Sequence, residues 1–349
     1  MSDYPALTPI QNTYRKRPMK YILLSSILIY LLGGCSTTVN IKALQPAEVD
    51  RAAFTKKIAV TPFQNDQVGL SSKIEARVAS KKVDGKNYFT TISRRDIRKI
   101  IEEQKLQNSG LLDESTAVRL GKLLGAQAMI SGNVTTASFS DTHYQATRTK
   151  CSDKKCKTTY EYNVPCTKRV VTLASQVRMV DVEKGDIIFA DLLHRSRNWS
   201  HCSDDSSTIP SSAQALDLLS TELANAFAYK LTPHYVDYSV TLLDEPDLEY
   251  TDDQKKALEN ALVYIERSRY DKAERILSRL LEESMDQSYV AAYNLGVVKE
   301  VQGEYEESKS LYELADRLTH KPVEEIDTAM LRIRRSIEQR EQAKRQIQQ

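Results

Sequence analysis

The chain has 349 residues, of which 41% are hydrophobic and 28% charged, long enough for more than one domain. Its 49 Lys and Arg offset 47 Asp and Glu, a formal net charge of +2. That balance argues against nucleic acid or an acidic polymer as the main partner, because such binders usually concentrate a basic face.

The amino end reads as an export signal. Arg15, Lys16, Arg17 and Lys20 precede the apolar run 21–32, which is shorter than the roughly 20 residues of a bilayer-spanning helix. A basic start, a short apolar middle and small residues at the end form a secretory signal. Its ending, "LLGGC", resembles the lipobox of bacterial lipoproteins. By that resemblance residues 1–34 are removed, and Cys35 becomes the first mature residue with a diacylglycerol on its sulfur. Residues 35–50 then form a lipidated linker. Several acyl chains, at about 0.8 kcal/mol per buried CH₂, anchor firmly where a single chain does not. Met19 also opens a conventional signal, so residues 1–18 read as a candidate upstream extension. Ser36, standing where inner-membrane lipoproteins of the familiar enterobacterial pattern carry Asp, implies the periplasmic side of the outer membrane. The sequence has no second long apolar run.

The segment 51–245 reads as one α/β domain. "KKIAVTPF" (56–63) is an apolar strand, and "SSKIEARVAS" (71–80) has helical spacing at Ile74 and Val78. "YFTTI" (88–92) is a further strand. Ser93 is placed to cap a helix with Ile97, Ile100 and Ile101 on its stripe, and Asp96 in the first turn suits the dipole. Asp113 or Ser115 caps the next helix, with Ala117, Val118, Leu120, Leu123 and Leu124 expected to face inward and Gly125 to end it. "AQAMISGNV" (126–134) follows as a strand.

The run "ISRRDIRKIIEEQKLQNSGLLDESTAVRLGKLLGAQAMISGNV" resembles the CsgG-like family of curli-production assembly/transport components. The likeness extends through "RVVTLASQVRMVDVEKGDIIFA" (169–190), a hairpin turning at 183–185, and the helix "SSAQALDLLSTELANAFAYKL" (211–231). It implies an α/β sandwich of the anticodon-binding-domain-like type. Relatives of that fold serve as secretion pores, flagellar accessories and activators of cell-wall synthases, and the fold alone does not choose among them.

In pore-forming members two segments become membrane hairpins, equivalent here to 139–168 and 192–212. A lipid-facing strand needs every second residue apolar over about 9–11 residues, and neither segment offers such a band. Both are expected to be periplasmic loops stapled by disulfides. They hold Cys151, Cys156, Cys166 and Cys202, an even set in an exported chain, and three pairings are open. A zinc site on these thiols with His194 and His201 is the weaker alternative, since no C-x-x-C knuckle is present.

From 251 to 349 the chain is charged, helical and almost free of glycine. Aligning "ALVYIERSRYDKAERILSRLLEES" with "GVVKEVQGEYEESKSLYELADRLT" gives an offset of about 35 residues, close to the 34-residue tetratricopeptide period. The stretch "YNLGVVKEVQGEYEESKSLYELA" (293–315) resembles that pattern at Leu295, Gly296, Tyr305 and Ala315. The resemblance implies helical repeats whose surface holds peptides or partner helices. Asn260 and Asn294 are groove candidates; Tyr270, Tyr305 and Tyr312 read as core. The helix from Glu324, with Ile326, Met330, Ile333 and Ile337 on one stripe, is expected to cap the repeats and to fray in its polar last turns.

No nucleophile, acid–base, phosphate-binding or metal motif is recognisable. The expectation is a non-enzymatic, cofactor-free lipoprotein that acts as an adaptor in envelope assembly. It would bind envelope proteins or peptides through the repeats and the membrane through its lipid, without nucleic acid, and a homo-oligomer stays open. An oligomeric secretion channel of the CsgG type is the alternative.

Overall fold

A computed structural model describes residues 37–103 and 113–348. The signal segment and Cys35 lie outside the described residues. Two compact units emerge: Asn40–Tyr238 with Gly303–Lys309 and Thr328–Gln349, and Ser239–Gln302 with Ser310–Asp327 and residues 37–39.

The described chain begins with β1 (Thr38–Gln45), most of which belongs to the first unit, and runs on through α1 (Asp50–Ala53), β2 (Lys57–Val60), α2 (Leu70–Ser80), β3 (Lys82–Val83), β4 (Lys86–Asn87), β5 (Thr90–Thr91), α3 (Arg94–Glu103) and α4 (Glu114–Leu124). Three long strands follow, β6 (Ala128–Cys151), β7 (Thr159–Asp181) and β8 (Ile187–Cys202), then α5 (Ser212–Lys230) and β9 (His234–Thr241). The central sheet has the order β5-β2-β6-β7-β8. Strand β2 is parallel to β5 and β6, and the β6–β7–β8 ladders are antiparallel.

Alternation along the strands makes the layers. Ile58, Val60, Ala128 and Ile130 pack with Leu70, Ile74 and Val78 of α2 and Leu219, Leu223 and Phe227 of α5. Ala59 and Met129 point the other way, onto Ile97 of α3 and Ala117 and Leu120 of α4. Successive side chains on a strand alternate faces, so one apolar run supplies both cores of an α/β sandwich. The ends of α4 agree with the sequence: Asp113 accepts from the Thr116 amide at 2.9 Å and Gly125 closes the helix at φ 63°; at the start of α5 the structure adds a capping box of Ser211 with Gln214. Leu123, expected inward, is 52% exposed. The buried stripe of α4 is Ala117, Leu120 and Gly121, at i, i+3 and i+4, and Leu123 falls outside it.

The second unit holds α6 (Asp252–Glu266), α7 (Tyr270–Glu283) and α8 (Tyr289–Gln302); α9 (Tyr305–Leu318) and α10 (Glu324–Gln348) complete an all-α region. Helix α8 is buried nearly all round, from Val290 to Val298. Gly296 lets Tyr312 approach: a Cβ there would stand 2.7 Å from its ring. Tyr305 and Tyr312 are core residues, as expected.

The end of α10 is docked in the first unit, contrary to the expectation that it frays. Gln346 is fully buried, its side-chain oxygen accepting from the Ala47 amide at 2.8 Å and its nitrogen donating to Asp50 at 2.8 Å. Its backbone carbonyl accepts from Lys56 Nζ at 2.7 Å and the Tyr88 hydroxyl at 2.8 Å. Carbonyls of a last helical turn lack intrahelical partners, and these donors satisfy one of them.

Candidate functional site

Two surfaces carry the chemistry that the sequence points to. The first is a groove of about 640 Å³ between α6 and α7. Ala257, Ile276 and Leu280 form its apolar part, with Asn260 and Tyr264 on the α6 side. Lys256, Lys272, Arg275 and Arg279 surround it, against Asp253 and Glu283. Lys272 lies 5.1 Å from the centre of the Tyr264 ring. Arg275 reaches Asp271 at 3.5 Å and Arg279 reaches Glu283 at 3.9 Å, all largely exposed pairs along one helix that bind weakly in water. Sequence reading named only Asn260 here. The α7 half was legible in the 272, 275, 276, 279 spacing, which lies on one helical face.

Asn294, in α8, does not line this groove. It is fully buried, accepting from the Leu243 amide at 3.0 Å and donating to the Leu243 carbonyl at 2.7 Å.

The second surface is the ribbon of β6, β7 and β8. The segments expected to be loops are strands. Register runs unbroken from Thr136↔Ala174 to Cys151↔Thr159, and β8 pairs with β7 up to Cys166↔Cys202. The four cysteines form two disulfides, Cys151–Cys156 and Cys166–Cys202. Beyond the second, seven pairs from Gln145↔Pro165 to Cys151↔Thr159 form a two-stranded finger, about 23 Å long at 3.3 Å per residue. Polar residues on both faces hide such a strand from pattern reading, which relies on apolar alternation.

The finger's turn is tightly built. Asp153 accepts from the Thr158 amide and hydroxyl, each at 2.9 Å, and from the amides of Lys157 at 3.0 Å and Lys155 at 2.8 Å. These bonds, those from Thr158 foremost, hold its carboxyl at about 2. Arg148, directly across from Tyr162, pairs with Asp204 at 3.0 Å and Asp205 at 3.7 Å.

Among the described residues no group of three or more His, Cys, Asp or Glu is arranged to hold a metal, and no helix is long and apolar enough to cross a membrane. His143 bonds Thr167 at 3.0 Å, and His234 stacks on Tyr229 with ring centres 3.6 Å apart. Burial lowers the pKa of His234.

Residues 52–143 match the family model described as "Curli production assembly/transport component CsgG", which covers the first layers of the sandwich and the start of the ribbon. No curated protein matches the chain. Among solved structures, the crystal structure of lipoprotein GNA1162 from Neisseria meningitidis is similar at 15% identity and a TM-score of 0.26, over 50% of this chain and 94% of that one. The chain therefore carries a CsgG-like segment within a mixed α/β unit, followed by an all-α region.

Proposed function

We propose that the protein is a lipid-anchored, non-catalytic adaptor of the bacterial envelope. Cys35 carries the lipid, the CsgG-like unit docks on an envelope machine, and the tetratricopeptide-like helices recruit a second protein. The observation that carries this reading is the α6–α7 groove, an open surface with apolar and charged parts on a helical array of a kind that typically binds other proteins.

A photo-crosslinking residue at Ala257, in the groove, followed by mass spectrometry of the adducts from intact cells, tests the reading. Adducts with a defined set of envelope proteins are expected, and Lys256→Glu with Arg279→Glu should remove them. An adduct set that ignores both charge reversals defeats the adaptor. Labelled palmitate should enter the wild-type chain and not Cys35→Ser.

The ribbon favours a second reading, an oligomeric channel of the CsgG type. Strand β8 is an edge of the sheet, and edges template pairing with other chains. Two features weigh against it. The ribbon presents Arg148 and Lys150 on one face and Asp141, Glu161 and Arg169 on the other. The second segment contributes one strand rather than a hairpin. Stepwise conductance in planar bilayers would replace the adaptor with the channel.

A further inference from the structure

We infer that the tip of the β6–β7 finger is a binding site for an anionic glycan, a linear polymer of sugar rings bearing carboxylates. This goes beyond the adaptor reading and uses a different surface from the α6–α7 groove.

The near-neutral overall charge hides a local concentration. Lys150, Lys154, Lys155 and Lys157 fall within eight residues at the end of the finger, all exposed. Among the described residues none of the four stands in an ion pair. Asp153 stays ionised within the loop, its oxygens accepting from the amides of Lys155, Lys157 and Thr158; against it and Glu161 stand the four lysines, so the end of the finger keeps a net positive charge.

Two aromatic rings stand beside these cations. Tyr160 and Tyr162 are 49% and 37% exposed, with ring centres 6.0 Å apart. They lie two apart on β7 and so share a face. Lys150 is directly across from Tyr160 and Arg148 directly across from Tyr162, and residues opposite one another in an antiparallel pair also share a face. One side of the finger is therefore a short track of two rings, with Lys150 beside Tyr160 toward the lysine-rich tip and Arg148, paired to Asp204 and Asp205, beside Tyr162. Flat apolar ring faces suit the C–H faces of pyranose rings, while the ammonium groups suit carboxylates.

The site is rigid. A lone two-stranded hairpin is marginal in water. This one is closed by Cys151–Cys156 at its tip and by Cys166–Cys202 where β8 ends. Cys156 takes the left-handed region, φ 50°, uncommon for a residue with a side chain, and its disulfide and the Asp153 bonds hold that turn. Preorganised groups lose less freedom on binding.

Geometry separates this ligand from its rivals. A hairpin that enters a bilayer tip-first leads with apolar residues; this tip leads with "SDKKCKT", and its tyrosines face sideways. Single-stranded nucleic acid also takes stacked aromatics with cations. The two disulfides, however, persist only in oxidising compartments, where the linear polyanions built of rings are polysaccharides.

Titration calorimetry of the oxidised full chain tests the site, with oligogalacturonate as the probe. Maltodextrin of equal length, a thymidine oligonucleotide and vesicles of phosphatidylglycerol and phosphatidylethanolamine are the comparisons. Oligogalacturonate should bind and maltodextrin should not. Tyr160→Ala with Tyr162→Ala, and separately Lys154→Gln, Lys155→Gln with Lys157→Gln, should each weaken binding roughly tenfold or more. Tyr160→Phe with Tyr162→Phe should retain it. All the changed side chains are exposed, and counting blocked thiols verifies that each variant keeps both disulfides. Three results overturn the inference: no binding of oligogalacturonate; binding untouched by loss of the rings, which leaves only a diffuse cationic surface; or tighter, ring-dependent binding of the oligonucleotide or the vesicles.

Discussion

Cys166 and Cys202 stand directly opposite one another on β7 and β8, their Cα atoms 4.0 Å apart, and both are almost fully buried. Their disulfide marks the point where the three-stranded ladder narrows to two strands. Cross-linking residues 36 apart restricts the unfolded chain, an effect of roughly 2–4 kcal/mol. Replacing both by Ser should lower the urea unfolding free energy by that amount and remove hydrogen-exchange protection from 145–165. Replacing Cys151 and Cys156, only five residues apart, should cost less. Equal losses would show that the base disulfide does not brace the finger.

Gly296→Ala should destabilise the helical unit. The new methyl carbon would meet Tyr312 Cε1 at 2.7 Å and Leu311 Cβ at 3.4 Å. Tyr312 is fully buried and donates to Glu300 at 2.7 Å, so the ring has no easy escape. Overpacking costs about 1–3 kcal/mol, which offsets the gain of about 1 kcal/mol in helix propensity. Thermal unfolding checks the sign; a stabilised variant would place the helices further apart than described.

Asn260 and Asn294 should separate binding from stability. Asn294→Ala strips the Leu243 amide and carbonyl of their side-chain partner, a loss of about 1–3 kcal/mol. Asn260→Ala removes an exposed side chain at the groove, so stability should stay within about 0.5 kcal/mol while crosslinking to partners falls. Denaturation midpoints and adduct yields, measured on both variants, decide the matter.

Lys56 should make stability depend on alkaline pH. Its Nζ contacts the carbonyls of Ala53 and Gln346 at 2.8 and 2.7 Å and lies 3.7 Å from the centre of the Tyr88 ring. Burial lowers its pKa from 10.5 to about 8. Between those values the unfolded chain holds the proton that the folded chain has released, so stability rises as pH rises. Tyr88, whose pKa burial and then Asp50 raise, acts in the opposite sense above its ordinary value of 10.0. The wild type should therefore gain on Lys56→Met from about pH 8 to about pH 10, read from urea midpoints. A constant difference would mean that Lys56 keeps an ordinary pKa.

Much of the α/β unit was legible because its local signals agree. Ile58 and Val60 against Ala59 fix two faces, while Asp113 and Gly125 mark helix ends. The finger was not legible. Its strands carry lysine, threonine and cysteine on solvent-facing sides, and disulfides, rather than a buried face, stabilise it. Asn260 and Asn294 each stand close before a small residue, Ala261 and Gly296, yet one is exposed and the other buried; at the 35-residue offset Asn260 falls on Leu295, so the two asparagines differ by one position, about 100° around the helix. Helix α8 is enclosed, whereas α6 keeps an open flank, and repeat spacing contains no record of which copy stands at an end. The groove was half legible for the same reason: Asn260 was named, but the cations of α7 belong to the neighbouring helix.

The slot that receives Gln346 has a consequence for how the molecule is made. Ala47 waits for a partner 299 positions further on. Synthesis proceeds from the amino end, so the notch at Ala47 stays open until residue 346 has been made. A copy cut short by a premature stop or a protease keeps an empty polar notch at Ala47, Asp50, Lys56 and Tyr88, and that notch distinguishes an incomplete chain from a finished one.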